Sequence, residues 1–578
     1  MSARLRLAMT RLADAERERI RAIVAAKEAG LSIRQIARAT GVSLTRIHQL
    51  LQADEARAIP VWLSHLQDQR LASAVQPEGV PPALSSPGWG HLADECALAT
   101  QTTIRCKAKF SACRIHCLRA KENMMPSKQP SGNALGVRPY VSQTGAFTSG
   151  SDSPRAFLER CLEVIAAQED AVGAFVTLNI VGARAAADAS TARWQSGATL
   201  SPIDGMPVGI KDIMETADMA TEQGSPLFVG WHGKRDCAAV AALREAGAVV
   251  LGKTVTTEFA ASHPARTRNP WDPTRTPGGS SSGSAAAVGI GMIPAALGSQ
   301  VIGSIIRPAS FCGCVGFKPS VGGINRGGSF DHFSQSCTGV LGATLADTWT
   351  VARAIALRAG GDPGYPGLSG PIELPAARQP RRIALLETAG WPEVSAAAKQ
   401  AFAEARQRLQ AAGIEVIDRT SHDAIAALET AIAEARPLSM AINAWEGRWP
   451  LNTYASDMDR NGLSSSAQDR LAEAQNMSQV QYQGLLSERQ RIREVYAALL
   501  TVCDACMTLA APGAAPIGLD WTGNPVFTVP TSLLGVPSLS LPVFEDDGLP
   551  LGLQLVGFAD RDADVFSVAS AIMALFAD

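Results

Sequence analysis

The chain has 578 residues, a formal net charge of −2, 46% hydrophobic residues and only 5% aromatic residues. It is too long for one typical domain and has ample apolar residues for a large core, while its overall charge singles out no partner. Its eleven cysteines are scattered and odd in number, which excludes a disulfide framework.

In chain order, residues 1–55 read as helical and rich in Arg and Ala. Charges interrupt the first residues too often for the apolar stretch of a secretion signal. Within 31–51, Ser32 and Ser43 are natural helix N-caps and Gly41 supplies a turn. Ile33, Ile36, Ala37, Val42, Ile47 and Leu50 fall at helix spacing. The stretch resembles the helix-turn-helix of bacterial DNA-binding domains, with 44–51 as the recognition helix. The resemblance makes DNA a candidate partner through residues 31–51. A small three-helix unit without DNA, or an upstream segment fused by a misplaced gene start ahead of Met124 or Met125, are the competing readings. Residues 56–150 lack sustained periodicity and read as a poorly ordered linker. Cys113, His116 and Cys117 offer no second ligand pair, so no zinc site is expected.

From 151 to 578 the pattern is α/β. Residues 238–246 read as a helix stopped by Gly247 and followed by a buried strand at 248–251. Residues 399–412, Gly413 and 414–417 repeat the unit, which builds a sheet covered by helices. Residues 285–306 contain no charge, yet Pro294, Gln300 and several glycines argue for a buried helix and loop over a membrane span. A cytoplasmic protein without membrane contact is the expectation. Cys503 and Cys506 have redox-pair spacing but sit in an apolar run, so buried structural thiols are expected.

Three segments are not explained by core packing. Lys211 follows a short apolar run, which by itself suits a strand-end lysine reaching for solvent. Gly278-Gly279-Ser280-Ser281-Ser282-Gly283-Ser284 leads directly into an apolar helix, so it is not a flexible linker. Ser304 follows Gly298-Ser299-Gln300-Val301-Ile302-Gly303 on a turn between apolar stretches, where successive N–H groups can face an oxyanion.

Together, these segments make the chain from 151 onward resemble the amidase signature family. The Gly/Ser run matches the family signature, and Ser304 lies 24 residues after Ser280 and Lys211 69 before it. The runs Val315-Gly316-Phe317-Lys318-Pro319 and Leu549-Pro550-Leu551-Gly552 look like further landmarks. The resemblance implies a single mixed β-sheet sandwiched by helices. It implies a Ser–Ser–Lys triad in which Ser304 attacks, Ser280 follows a cis peptide bond and relays the proton, and Lys211 is neutral. It also implies an oxyanion hole of Val301, Ile302, Gly303 and Ser304, with no metal or organic cofactor. The sequence departs from the family at Gln300, Val301, Ile302 and Ile306. A β-branched residue resists positive φ, so a turn needing it at Ile302 is strained and its activity low or lost.

The leading reading is an amidase acting on a small carboxamide or aryl amide. A second is the amidase component of a glutamine-dependent amidotransferase. A third is a DNA-binding regulator whose amidase-like domain senses an amide without hydrolysing it. A homodimer stays open. Trp445, Trp449, Trp521 and Phe527 are candidates for pocket or core, with core the expectation for most.

Overall fold

The computed structural model describes residues 136–576, together with Ser32. The helix-turn-helix reading of 1–55, its DNA contact through 31–51 and the Cys113/His116/Cys117 cluster therefore lie outside the described residues.

One eleven-stranded sheet organises the fold, in the order β1-β3-β2-β4-β6-β5-β10-β11-β9-β7-β8. The strands are β1 (Phe175–Leu178), β2 (Pro207–Lys211), β3 (Val249–Thr254), β4 (Ala295–Gln300), β5 (Val315–Lys318), β6 (Cys337–Gly342), β7 (Arg382–Leu385), β8 (Glu415–Ile417), β9 (Ala505–Leu509), β10 (Ser538–Asp546) and β11 (Leu549–Val556). β2 is parallel to β3 and β4, and β7 is parallel to β8 and β9; the other pairs are antiparallel. The sheet is therefore mixed, as the resemblance implied.

Both faces are covered, because successive residues of the central strands enter different apolar clusters. Along β3, Val250 packs in one cluster while Val249 and Leu251 pack in another; along β4, Ala295 and Leu297 share the first and Ala296 the second. This period of two, buried on both sides, explains the continuous apolar runs in the sequence.

The helix–glycine–strand units are present. Helix Ala238–Glu245 buries Ala239, Val240, Ala242 and Leu243 and leads through Gly247 (φ 85°) into β3. Helix Ala396–Ala411 is capped by Ser395 and buries Ala398, Phe402, Ala405 and Leu409 along one face before Gly413 (φ 77°). The left-handed conformation after each helix favours glycine, which is why these stops are readable. The uncharged run 285–306 is wholly or largely buried, and between its helix and its final turn it forms β4, a strand that the expected helix and loop did not include.

The start of the folded body differs from the expected boundary at 151. Tyr140 and Phe147 are buried in the main cluster, and the Tyr140 hydroxyl donates to the Asp204 carbonyl at 2.5 Å. Backbone N–H groups of Tyr140 and Val141 bond Asp347. The 136–150 segment has only one turn of 3₁₀ helix and a six-residue helix, too short to give periodicity.

One irregularity bears on the site. β2 and β3 pair Val208 with Val250 but Gly209 with Gly252, so one residue of β3 is skipped. Beyond this shift Ile210 faces Lys253 and Lys211 faces Thr254.

Candidate active site

β4 ends at Gln300, and the turn 301–305 leads into helix Ile306–Cys312. The fully buried Gln300 side chain closes this turn. Its Oε1 accepts from the N–H groups of Ile305 (2.9 Å) and Ile306 (3.0 Å), and its Nε2 donates to Ser532 Oγ (3.1 Å). A carboxylate could accept both N–H bonds but could not donate to Ser532, so the neutral amide suits this position. In contrast, the N–H groups of Val301, Ile302, Gly303 and Ser304 have no acceptor among the described residues. Four consecutive free donors thus precede or belong to the serine, flanked by satisfied ones.

The strain expected at Ile302 is not found. Ile302 is not among the residues with positive φ, and its half-buried side chain packs against the cluster holding Leu438, Ile442 and Val529. A β-branched residue fits such a backbone without penalty. Gly303 is constrained by space, since its φ is not positive either. An added Cβ would fall well inside contact with Thr528 Oγ1 and 3.2 Å from Pro525 Cβ.

The Gly/Ser segment forms the opposite wall. The Gly279–Ser280 peptide bond is cis, matching the resemblance. Helix Ser282–Gly289 follows and is buried throughout. A Cβ on Gly283 would collide with the Ala174 carbonyl and the Val255 N–H, so small residues let this helix dock tightly against the end of β3. Ser281 N–H donates to the Ser304 carbonyl at 3.3 Å, tying the two segments together. No hydrogen bond joins the Ser280 and Ser304 hydroxyls.

Lys211, the last residue of β2, is fully buried and does not reach solvent. Its Nζ donates to Ser280 Oγ (2.7 Å) and Ser299 Oγ (2.8 Å). Among the described residues no carboxylate pairs with it. Burial pushes its pKa down to about 7, opposed by the charge of Asp331. Lys211 and Ser280 are thus in contact, and Ser304 is joined to them through the Ser281 backbone.

Several neighbours were not singled out from the sequence. Ser299 is one; because Ile210 of β2 pairs with Leu297 of β4, the end of β4 falls beside Lys211, but only strand pairing reveals this. Asp331 is buried in a loop, where it accepts from Ser336 Oγ. Arg307 is buried and its Nη2 donates to the Gly279 carbonyl (2.8 Å) and Thr522 Oγ1 (2.9 Å).

Of the four aromatic candidates only Phe527 is core, so the expectation of core for most of them does not hold. Phe527 is in the core, Trp449 is 64% exposed and Trp521 48% exposed. Trp445 stacks on Tyr482 at 5.2 Å with the Arg448 guanidinium 4.3 Å from its ring. A small cavity lined by Gln223, Phe259, Phe330, Phe333, Tyr454 and Arg470 adjoins the end of β2 instead, where Gln223 N–H bonds the Asp212 carbonyl. Cys503 and Cys506 are buried free thiols, as expected. Among the described residues no group of three or more potential metal ligands forms, and no helix is long and apolar enough to cross a membrane.

Comparison with known proteins identifies the family. The sequence profile of the Amidase family matches residues 156–566. The glutamyl-tRNA(Gln) amidotransferase A-subunit of Chloroflexus aurantiacus is 31% identical over 468 residues, covering 74% of this chain and 95% of that protein. Its counterpart from Roseiflexus castenholzii is 33% identical over 467 residues, covering 73% and 92%. Among solved structures, the native peptide amidase from Stenotrophomonas maltophilia superposes with a TM-score of 0.60 at 25% identity, covering 75% of this chain and 96% of that one.

Proposed function

This chain belongs to the amidase family, an enzyme acting on amide C–N bonds, and on that premise we propose that it cleaves a carboxamide through an acyl-enzyme on Ser304. Ser304 Oγ attacks the carbonyl carbon as its proton passes by way of Ser280 to Lys211. The N–H groups of Val301, Ile302, Gly303 and Ser304 receive the oxyanion. The proton returns from Lys211 through Ser280 to the leaving nitrogen, the C–N bond breaks, and water then releases the acid. The observation that carries this reading is Lys211: fully buried, bonded to Ser280 at 2.7 Å and held near neutrality by desolvation. A lysine with a pKa of about 7 can accept a proton at physiological pH, which an ordinary ammonium cannot. The negative φ at Ile302 and the free N–H groups beside it support a working turn rather than an impaired one.

The test is labelling with a fluorophosphonate probe alongside turnover of a panel of amides. Ser304 is expected to carry the label and Ser304→Ala to lose both label and turnover. Turnover unchanged in Ser304→Ala overturns the proposal.

The amidotransferase relatives, matched over more than nine-tenths of their length, favour a second reading of the same chemistry. In it the amide is that of glutamine, and the released ammonia is used by a partner protein. Rapid, partner-independent hydrolysis of simple carboxamides with no stable complex on purification from the native host favours the free-standing amidase. Glutamine cleavage that requires a co-purifying protein favours the second.

A further inference from the structure

Arg307 lies three residues beyond Ser304, at the start of helix Ile306–Cys312, and is 3% exposed. Its Nη2 is used by Gly279 and Thr522, but Nε and Nη1 are buried without a hydrogen-bond partner. Among the described residues it has no salt bridge, and the charge that acts on it is that of Arg436, of the same sign. An unpaired guanidinium in the interior is costly to folding. A fold that keeps one bears that cost in the resting state.

The orphan Nη1 lies against the nucleophile turn: a Cβ built on Gly303 would be 3.1 Å from it. The free donors of Val301–Ser304 surround the same glycine. Both orphan nitrogens are closed off, so a substrate carboxylate does not reach them directly. A charge that develops within reach of the Gly303 N–H does act on them, through a short low-dielectric path.

We propose that Arg307 is a fixed buried countercharge for the oxyanion, binding the anionic tetrahedral intermediate more tightly than the neutral amide. It is a positioning residue, acting through the Gly303 turn without touching the reacting atoms. The inference rests on the reading of Ser304 as nucleophile. It differs from a structural role because it is spent only when negative charge appears, which is the condition for raising a rate rather than a ground-state affinity. Burial lowers the Arg307 pKa to about 9, which leaves the group charged at neutral pH.

The experiment is fluorophosphonate labelling kinetics. In this reaction the Ser304 Oγ–P bond forms, the P–F bond breaks, fluoride leaves, the serine proton passes to Lys211, and negative charge grows on the phosphoryl oxygen. Arg307→Met is expected to lower kinact about thirtyfold, roughly 2 kcal/mol of transition-state stabilisation, with KI changed less than twofold. Arg307→Lys, which keeps the charge, is expected to recover most of the rate. Tm of Arg307→Met is expected to stay level or rise, because an unpaired buried charge is removed. A fall in Tm with kinact and KI lost together marks a structural prop and overturns the proposal, as does unchanged kinact in Arg307→Met. Failure of the underlying reading looks different: label mapped by mass spectrometry to a residue other than Ser304 removes the nucleophile, and the Arg307 proposal with it.

Discussion

Lys211 on β2 and Lys253 on β3 are both fully buried and sit near the ends of neighbouring parallel strands, but their surroundings differ. Lys253 Nζ is 2.8 Å from Asp212 Oδ1 and also bonds Thr221 Oγ1 and the Ala220 carbonyl. Burial pulls its pKa down, and the attraction of Asp212 pulls it back. Lys211 has two serine hydroxyls and no carboxylate in contact, so burial wins and the pKa falls to about 7. Asp212 directly follows Lys211 in the chain, but it lies in the turn after β2, and there its carboxylate is 2.8 Å from Lys253 Nζ and makes no pair with Lys211. Two lysines of equal burial thus differ in their partners: Lys253 has a carboxylate, and Lys211, the base of the proposed mechanism, has none.

The comparison can be broken at either lysine. Lys211→Met is expected to lower amide turnover on the order of 10⁴-fold or more, as removal of a member of a catalytic unit does. The same change should stabilise the fold in acid. Below pH 7 the native state holds a buried ammonium, whereas the unfolded chain keeps it hydrated. A pKa lowered from 10.5 to about 7 corresponds to a cost on the order of 5 kcal/mol. That cost is full below pH 7 and disappears as pH rises toward 10.5, so the gain from Lys211→Met, measured by urea denaturation, shrinks over this window. Asp212→Asn should do the reverse. It strands Lys253 as an uncompensated charge and is expected to cost about 3–5 kcal/mol of stability near neutral pH. If Asp212→Asn leaves the urea midpoint unchanged, the two lysines are not distinguished by pairing.

Smaller changes sharpen the contrast. Ser299→Ala removes one of the two hydroxyls on Lys211 and is expected to lower kcat/KM about tenfold, the cost of an unmet buried donor. Asp331 raises the Lys211 pKa, so Asp331→Asn should lower it further. In the wild type, kcat/KM should rise with pH up to about 7 and then level off as Lys211 loses its proton. In Asp331→Asn that midpoint should move to lower pH. A midpoint that moves up, or a wild-type profile flat across roughly pH 6–8, contradicts the assignment of Lys211 as the base.

Ser280 and Ser304 could be singled out because each sits in a Gly/Ser-containing run between apolar stretches, and Lys211 only through its spacing from them, whereas the close approaches those glycines permit are seen only in the fold. Gly247 and Gly413 were legible as helix stops because the left-handed backbone after a helix favours glycine. What stayed hidden depends on chain pairing. Ser299 meets Lys211 only because β2 and β4 are parallel neighbours. Thr522 meets Arg307 across 215 residues. Gln300 was visible as a departure, but its clamp on Ile305, Ile306 and Ser532 requires the turn to be closed first. The strain expected at Ile302 was wrong because the limit on this turn is space at Gly303, not backbone conformation. The order of eleven strands was also out of reach, since short apolar runs do not name their neighbours.

The skipped residue between β2 and β3 makes the site a matter of counting. With an unbroken register, Lys211 would face Lys253 rather than Thr254, setting two ammonium groups shoulder to shoulder across the ladder. Sliding β3 by one position therefore rewires the electrostatics of the site without altering a single side chain. Because the skipped residue is Leu251, removing it would leave an unbroken ladder with Lys211 still opposite Thr254, so that one deletion separates the bulge from the pairing it sets up at the site.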